Sequence, residues 1–301
     1  MISDRETSNS ATRGALAAAG CYLAWGLFPL YWHQLAAVNS AELIAHRHLW
    51  SLGFVAIVIT ACRSWREAAI AIRSSHALRV HALSGVLLTV NWLVFIWGIN
   101  HGHVVEASLG YFLVPLVNVG LGRFVLKEQL RRAQWLAIGC AAVGVMLLVI
   151  RVGRLPWIAL TLASTFGAYG LLRKQSPLGP LLGLGLETVL LAPVALAFLL
   201  YREHLGLGVL GHADGWTHVL LVSAGAVTAI PLLLFAYGAR RVRFTTLGLL
   251  QYIAPSVQFA IGTWVFHEQF DPAQASAFAL IWAGLVIYTT DNLTQQARTT
   301  G

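Results

Sequence analysis

The sequence predicts an all-α, polytopic membrane protein of ten transmembrane helices, arranged as two inverted-topology repeats of five. Three observations predict it. Of 301 residues, 57% are hydrophobic and only 11% charged, with a mean hydropathy of +0.70. Soluble domains carry about a quarter charged residues, so a water-soluble enzyme is excluded: the charges present cannot cover its exterior. Ten windows of roughly 20 apolar residues, the helix length that crosses a bilayer core, run along the chain with most Lys and Arg in alternate gaps. The chain also repeats itself at a separation of 140 residues.

The windows centre on Trp25, Gly53, Asn91, Leu116, Ala141, Leu162, Leu191, Ala229, Gln258 and Trp282. A largely polar stretch of thirteen residues precedes the first, and the apolar run after it is span length, so it is expected to serve as its own insertion signal. The second opens on Glu42, His46, Arg47 and His48 and the seventh contains Glu187; both are retained because the basic pattern on either side requires them. With the N-terminus inside, sixteen of the twenty Lys and Arg fall in cytoplasmic segments, including Arg63 to Arg79, Arg123 to Arg132, Arg173 with Lys174, and Arg240 to Arg243. The outer segments hold Arg151, Arg154 and Arg202, while Arg47 lies within a span. Basic residues near span ends stay cytoplasmic, so both termini are expected inside. The net charge of +8 then records orientation, not a nucleic-acid partner. Cys21, Cys62 and Cys140 fall in apolar runs without metal-ligand spacing. They read as packing residues, and no metal or cofactor is expected.

The repeat aligns LGYFLVPLVNVGLGRFVLKEQLRRAQ from Leu109 with LLQYIAPSVQFAIGTWVFHEQFDPAQ from Leu249. Pro115 pairs with Pro255, Gly122 with Gly262, Glu128 with Glu268, Gln129 with Gln269 and Gln134 with Gln274. Five spans per copy is an odd number, so the second copy enters the membrane from the opposite face. Secondary transporters use this arrangement for alternating access.

These pairs in spans four and nine resemble the EamA repeat of the drug/metabolite transporter superfamily. The strings HRHLWS at Arg47, NWLVFIWGIN at Asn91, VEASLGYFLVPLVN at Glu106, LETVLLAPVA at Glu187 and TTLGLLQYIAP at Gln251 resemble its RarD branch and cover nearly the whole chain. The resemblance implies two EamA repeats, 1–151 and 152–301, forming an inner-membrane transporter with a central cavity that moves small metabolites or drugs without ATP hydrolysis. One departure is His267, before the second Glu-Gln pair, where a small residue is expected.

Ionisable groups at membrane depth cost several kcal/mol unless paired or hydrated, which makes them functional candidates. Arg47 lies roughly 9 Å into its span by helical rise, facing a cavity or snorkelling to the outer surface. His46 stands four residues from Glu42, the spacing of a helical side-chain pair. Aligning the first two spans of each half at a separation of 141 sets Glu187 opposite His46 and Thr188 opposite Arg47. A carboxyl in a partly dry cavity can take and release a proton, which makes Glu187 the candidate for proton coupling; a permanently ionised, hydrogen-bonded glutamate is the alternative. Asn91, Asn118, Gln251 and Gln258 both donate and accept, suiting a zwitterionic or amide-bearing solute, or gluing helices together. Tyr111 and Tyr252 precede the candidate hinges Pro115 and Pro255, where a broken hydrogen-bond ladder frees carbonyls. Trp92 offers a ring to a cation. Glu106, at the start of span four, suits a helix N-terminus. His101 and His103 make too small a set for a metal.

The expected function is a secondary transporter, and an exporter, of small organic solutes, driven by proton exchange or by the solute gradient. It sits in the bacterial inner membrane, with a solute and lipid as its partners. The alternatives are a membrane-embedded enzyme using His46, His33 or Glu187 as acid and base, and a non-transporting sensor. No GxxxxGK[ST] loop, HExxH pair or GxSxG elbow occurs, so ATP-driven pumping and the familiar hydrolases lack their chemistry.

Overall fold

A computed structural model describes residues 2–101, 103–152, 156–267 and 272–300, and among them helix is the only regular structure besides turns. The elements are α1 (Ile2–Trp32), a 3-10 turn (His33–Leu35), α2 (Ser40–Ala61), α3 (Trp65–Arg73), α4 (Ser75–Asn100), α5 (Val104–Phe124) and α6 (Arg132–Val152). They continue with α7 (Trp157–Gln175), α8 (Pro180–His204), α9 (Gly215–Ala239), α10 (Phe244–Leu250), α11 (Ile253–Trp264) and α12 (Pro272–Thr300). Glu268, Gln269 and Arg154, and the side chains of Arg5, Arg151, Gln274 and Arg298, lie outside the described residues.

Local chemistry sets the helix starts. Asn39 Oδ1 accepts from Ala41 N and Glu42 N at 3.1 and 3.3 Å, capping α2, and Asp214 caps α9 through Thr217 N at 2.8 Å; each satisfies amides that have no partner within the helix. Proline opens α8 at its first turn, where a missing N–H costs nothing. Seven of the described helices are long and apolar enough to cross a membrane: α1, α2, α4, α5, α6, α8 and α9. The remaining three windows fall on α7, which ends in Arg173 and Lys174, on α10 with α11, and on α12, whose apolar part is Ala275–Asp291. Helix α3 was not expected. It exposes Trp65, Ile70 and Ile72 beside Arg66 and Arg73, the composition of a helix lying at the membrane surface. Cys62 caps the C-terminus of α2 and is exposed, contrary to its reading as a packing residue.

The two hinge candidates behave differently. Pro115 sits inside the continuous helix α5, whereas Pro255 follows a turn at Gln251 and Tyr252 that separates α10 from α11. A proline ring clashes with the carbonyl four residues earlier; for Pro255 that residue is Gln251, where the helix breaks.

Helix pairing relates the halves. Helix α1 packs on α9 as α7 packs on α4, α2 on α9 as α8 on α4, and α1 on α11 as α7 on α5. Helix α2 meets α8, α5 meets α10, and α6 meets α12. Exchanging the halves leaves these major pairings unchanged. Tyr252 Oη donates to the Phe112 carbonyl at 3.3 Å, joining residues 140 apart. Lys127 and His267, also 140 apart, both adopt left-handed backbone, with φ of 56° and 53°. The position before each Glu-Gln pair therefore requires a backbone conformation, not a small side chain, which accounts for His267.

Glu128 gives the repeated Glu-Gln pair a physical role. Its carboxylate accepts from Phe244 N at 2.6 Å, Thr245 N at 3.0 Å and Thr245 Oγ1 at 2.8 Å, so a residue of the first half caps α10 in the second. Glu128→Ala should lower stability by about 1–2 kcal/mol, as loss of a charge-assisted cap does. Thermal unfolding in detergent checks it; an unchanged midpoint would show that the cap contributes nothing. The same end of the bundle gathers other basic segments. Lys174 Nζ donates to the Ala239 and Val242 carbonyls, Arg240 to those of Ser176 and Leu178, and Arg243 to that of Gln129.

Candidate binding cleft

Four helices, α2 and α4 from the first half and α8 and α9 from the second, enclose a narrow cleft with about 20 Å³ of free space, room for about one water. Its polar lining includes Arg47, His48, Ser51, Glu187, Thr188 and Thr228. Arg47 and Glu187 are each the eighth residue of their helix, about 10 Å from its start by helical rise. Arg47 does not snorkel along its own helix. Its guanidinium lies 4.1 Å from the Trp92 ring centroid and 4.7 Å from that of Trp32, and Nε donates to Thr228 Oγ1 at 3.0 Å. A planar, weakly hydrated guanidinium suits such a slot, where an ammonium would keep its water. The cleft is positioned by α2 lying against α9, where Ser51 Oγ donates to the Gly225 carbonyl at 3.1 Å.

Glu187 closes the other side through a buried cluster that the sequence did not reveal. Arg173 Nη1 and His81 Nδ1 both lie 3.1 Å from Glu187 Oε1, and Ser84 Oγ donates to the same oxygen at 2.5 Å. His81 Nε2 is 2.9 Å from Ser176 Oγ. Arg173 and Glu187 are 2% and 3% exposed, so Arg173 is a buried partner and not the loop cation that the charge pattern suggested. The available signal was Glu187 itself. A buried carboxylate needs a cation, and Arg173 lies just across the short turn joining α7 to α8. Glu187 Oε2 is buried without a hydrogen-bond partner.

Of the other expected site residues, Trp92 joins Arg47 in the cleft and the rest lie outside it. His46 is buried on α2 with Nε2 unpartnered. Glu42 does not pair with it; that carboxylate accepts from Arg202 at 3.3 Å and Val209 N at 2.7 Å. Asn91 Nδ2 donates to Leu162 O at 2.8 Å and Thr165 Oγ1 at 3.0 Å, tying α4 to α7. Asn118 Nδ2 donates to Gln251 Oε1 at 3.0 Å, joining α5 to the turn before α11, and Gln258 Nε2 donates to Trp25 O at 3.1 Å. Tyr111 packs edge-on against Phe95. These amides hold helices together across the halves, the role such groups commonly take in membranes. Glu106 accepts from Ile158 N at 2.8 Å and so serves the N-terminus of α7. His101 stacks on Trp97 at 4.5 Å. His48, unremarked in the sequence beyond its place in span two, lines the cleft 5.6 Å from the Trp92 ring.

The model of the EamA-like transporter family matches residues 12–150. The chain is 44% identical to Protein RarD of Streptomyces exfoliatus, over 96% of this chain and 91% of that one. It is 41% identical to the uncharacterized transporter YojE of Bacillus subtilis, over 92% and 93%, and 38% identical to Protein RarD of Escherichia coli K12, over 95% and 97%. A solved crystal structure, 22% identical, superposes with a TM-score of 0.68 over 92% of this chain and 97% of that one, and shares the fold. Apolar helices of spanning length and relatives aligned along almost the whole chain lead to one assignment: the chain is an integral membrane protein that belongs to the EamA-like transporter family, in its RarD branch.

Proposed function

We propose that the protein is a secondary exporter of small organic metabolites or drugs, working by alternating access between two inverted five-helix halves, residues 1–151 and 152–301, in the bacterial inner membrane. The observation that carries this reading is the cleft itself, a mainly apolar space lined also by Arg47 and Glu187 and walled by two helices from each half. Helix pairing that survives exchange of the halves supports the inverted repeat and the count of ten spans. The bonds among segments 128–131, 174–178 and 239–245 at one end of the bundle support a cytoplasmic location for that end and for both termini, since basic residues stay inside. Rocking of one half against the other opens the cleft to either side, with the turn before Pro255 and the proline-bearing α5 as hinges.

Glu187 remains the proton-coupling group in this reading. While Arg173 neutralises it, the carboxylate needs no proton. Movement of α7 away from α8 would strand a charge in a dry space, which costs several kcal/mol, and a proton taken from one side and released on the other relieves that cost. Proteoliposomes with an imposed pH gradient and a metabolite panel test both levels. The parent should move at least one solute unchanged, faster with the gradient, and Glu187→Gln should abolish the acceleration. Chemical conversion of a solute without movement would favour an enzyme and overturn the transport reading. An identical pH response in Glu187→Gln would overturn the coupling alone.

A further inference from the structure

We propose that the cleft, once its walls move apart, binds its solute by a carboxylate held on Arg47, so that the transported class is small organic monocarboxylates. This rests on the transport reading and narrows it. Among the described residues no carboxylate pairs with Arg47, and of its three nitrogens only Nε has a hydrogen-bond partner. Other glutamates are engaged elsewhere: Glu42 by Arg202 and Val209 N, Glu203 by Leu210 N, and Glu106 by Ile158 N. The one acid lining the cleft, Glu187, is matched by Arg173. The lining therefore carries one cation without a counter-charge.

Magnitudes decide what that means. An unpaired cation at membrane depth is costly, and cation–π contacts return only part of that cost. Trp32 and Trp92 thus fix the guanidinium plane without meeting its need for an anion. Arginine presents parallel N–H groups that match a carboxylate's two oxygens, and the two indoles hold that fork in one orientation. A single net positive charge matches a monoanion better than a phosphate dianion. A cationic solute would face Arg47 with a like charge.

Thermal unfolding of the purified chain in neutral detergent, at constant ionic strength and pH 7, reads this directly. The probes are matched triples at up to 20 mM: phenylacetate, phenylacetamide and phenethylamine, and butyrate, butyramide and butylamine. Carboxylates are expected to raise the midpoint by a few degrees, through preferential binding to the folded state, while the amides and amines leave it unmoved. Arg47→Gln should erase the shift. Arg47→Lys, which keeps the charge but loses the planar fork, should retain part of it and guards against a folding defect in the first variant. Equal shifts from amides or amines, a carboxylate shift unchanged in Arg47→Gln, or no carboxylate shift at 20 mM would each overturn the proposal. Flux of neutral or cationic solutes without a carboxylate shift would sink this inference and leave transport standing. Carboxylate binding without flux of any solute would do the reverse.

Discussion

Arg173→Met is expected to destabilise the folded bundle by about 3–5 kcal/mol, the usual consequence of removing one member of a buried ion pair. Both groups are almost wholly buried, at 2% and 3% exposure, and Arg173 Nη2 also donates to the Pro180 carbonyl at 3.0 Å, fastening the turn between α7 and α8. Methionine fills much of the space but leaves the Glu187 carboxylate with only His81 and Ser84 as partners. Glu187→Gln alone has the converse fault, leaving the guanidinium as a buried cation. The double variant Arg173→Met with Glu187→Gln removes both charges and should recover most of the loss, because replacing a whole buried pair is often close to neutral. Unfolding in a denaturing detergent titration measures all four proteins. If the double variant is as unstable as the sum of the singles, the two residues do not act as a pair.

Gly225→Leu should be comparably damaging, for a steric reason. A Cβ at Gly225 would fall against the backbone carbonyl of Trp50, closer than non-bonded atoms approach, because α2 and α9 cross with main chains nearly touching. Even Gly225→Ala should cost about 1–3 kcal/mol, as overpacking does. This opposes the roughly 1 kcal/mol that alanine normally gains over glycine within a helix. Gly53 and Gly139 are controls: nothing lies within 4 Å of a Cβ added at either, so alanine there should be neutral or stabilising. Functional damage should follow at Gly225. Trp50 and Gly225 lie three residues from Arg47 and Thr228 on the same helices, so forcing the helices apart draws Thr228 away from the guanidinium. Thermal midpoints and carboxylate-induced shifts of Gly225→Ala, Gly53→Ala and Gly139→Ala test this; equal midpoints in all three would refute the close-approach account.

Much of the site escaped the sequence for reasons visible at particular residues. His81 and Arg173 sit near helix ends, where the charge pattern reads a cation as a loop residue, yet both turn inward to Glu187. Asn91, Asn118, Gln251 and Gln258 have the chemistry of solute ligands, but each bonds across to a neighbouring segment instead of lining the cleft. The Glu-Gln pair was visible as a repeat; that Glu128 caps a helix of the opposite half was not.

What the sequence determined by itself is what depends on local or additive physics: the solvent, from hydropathy; the helices, from apolar run length; the duplication, from residues recurring at 140 positions; and the two charged residues, Arg47 and Glu187, that hydrocarbon would not tolerate unmatched. Only the tertiary structure decided which polar groups meet. A span's apolar pattern is nearly uniform around its axis, so the rotation of each helix is set by close packing against several neighbours at once. That rotation placed Arg47 between two indoles from α1 and α4, gave Glu187 its partner on α7, and turned the amides away from the cleft.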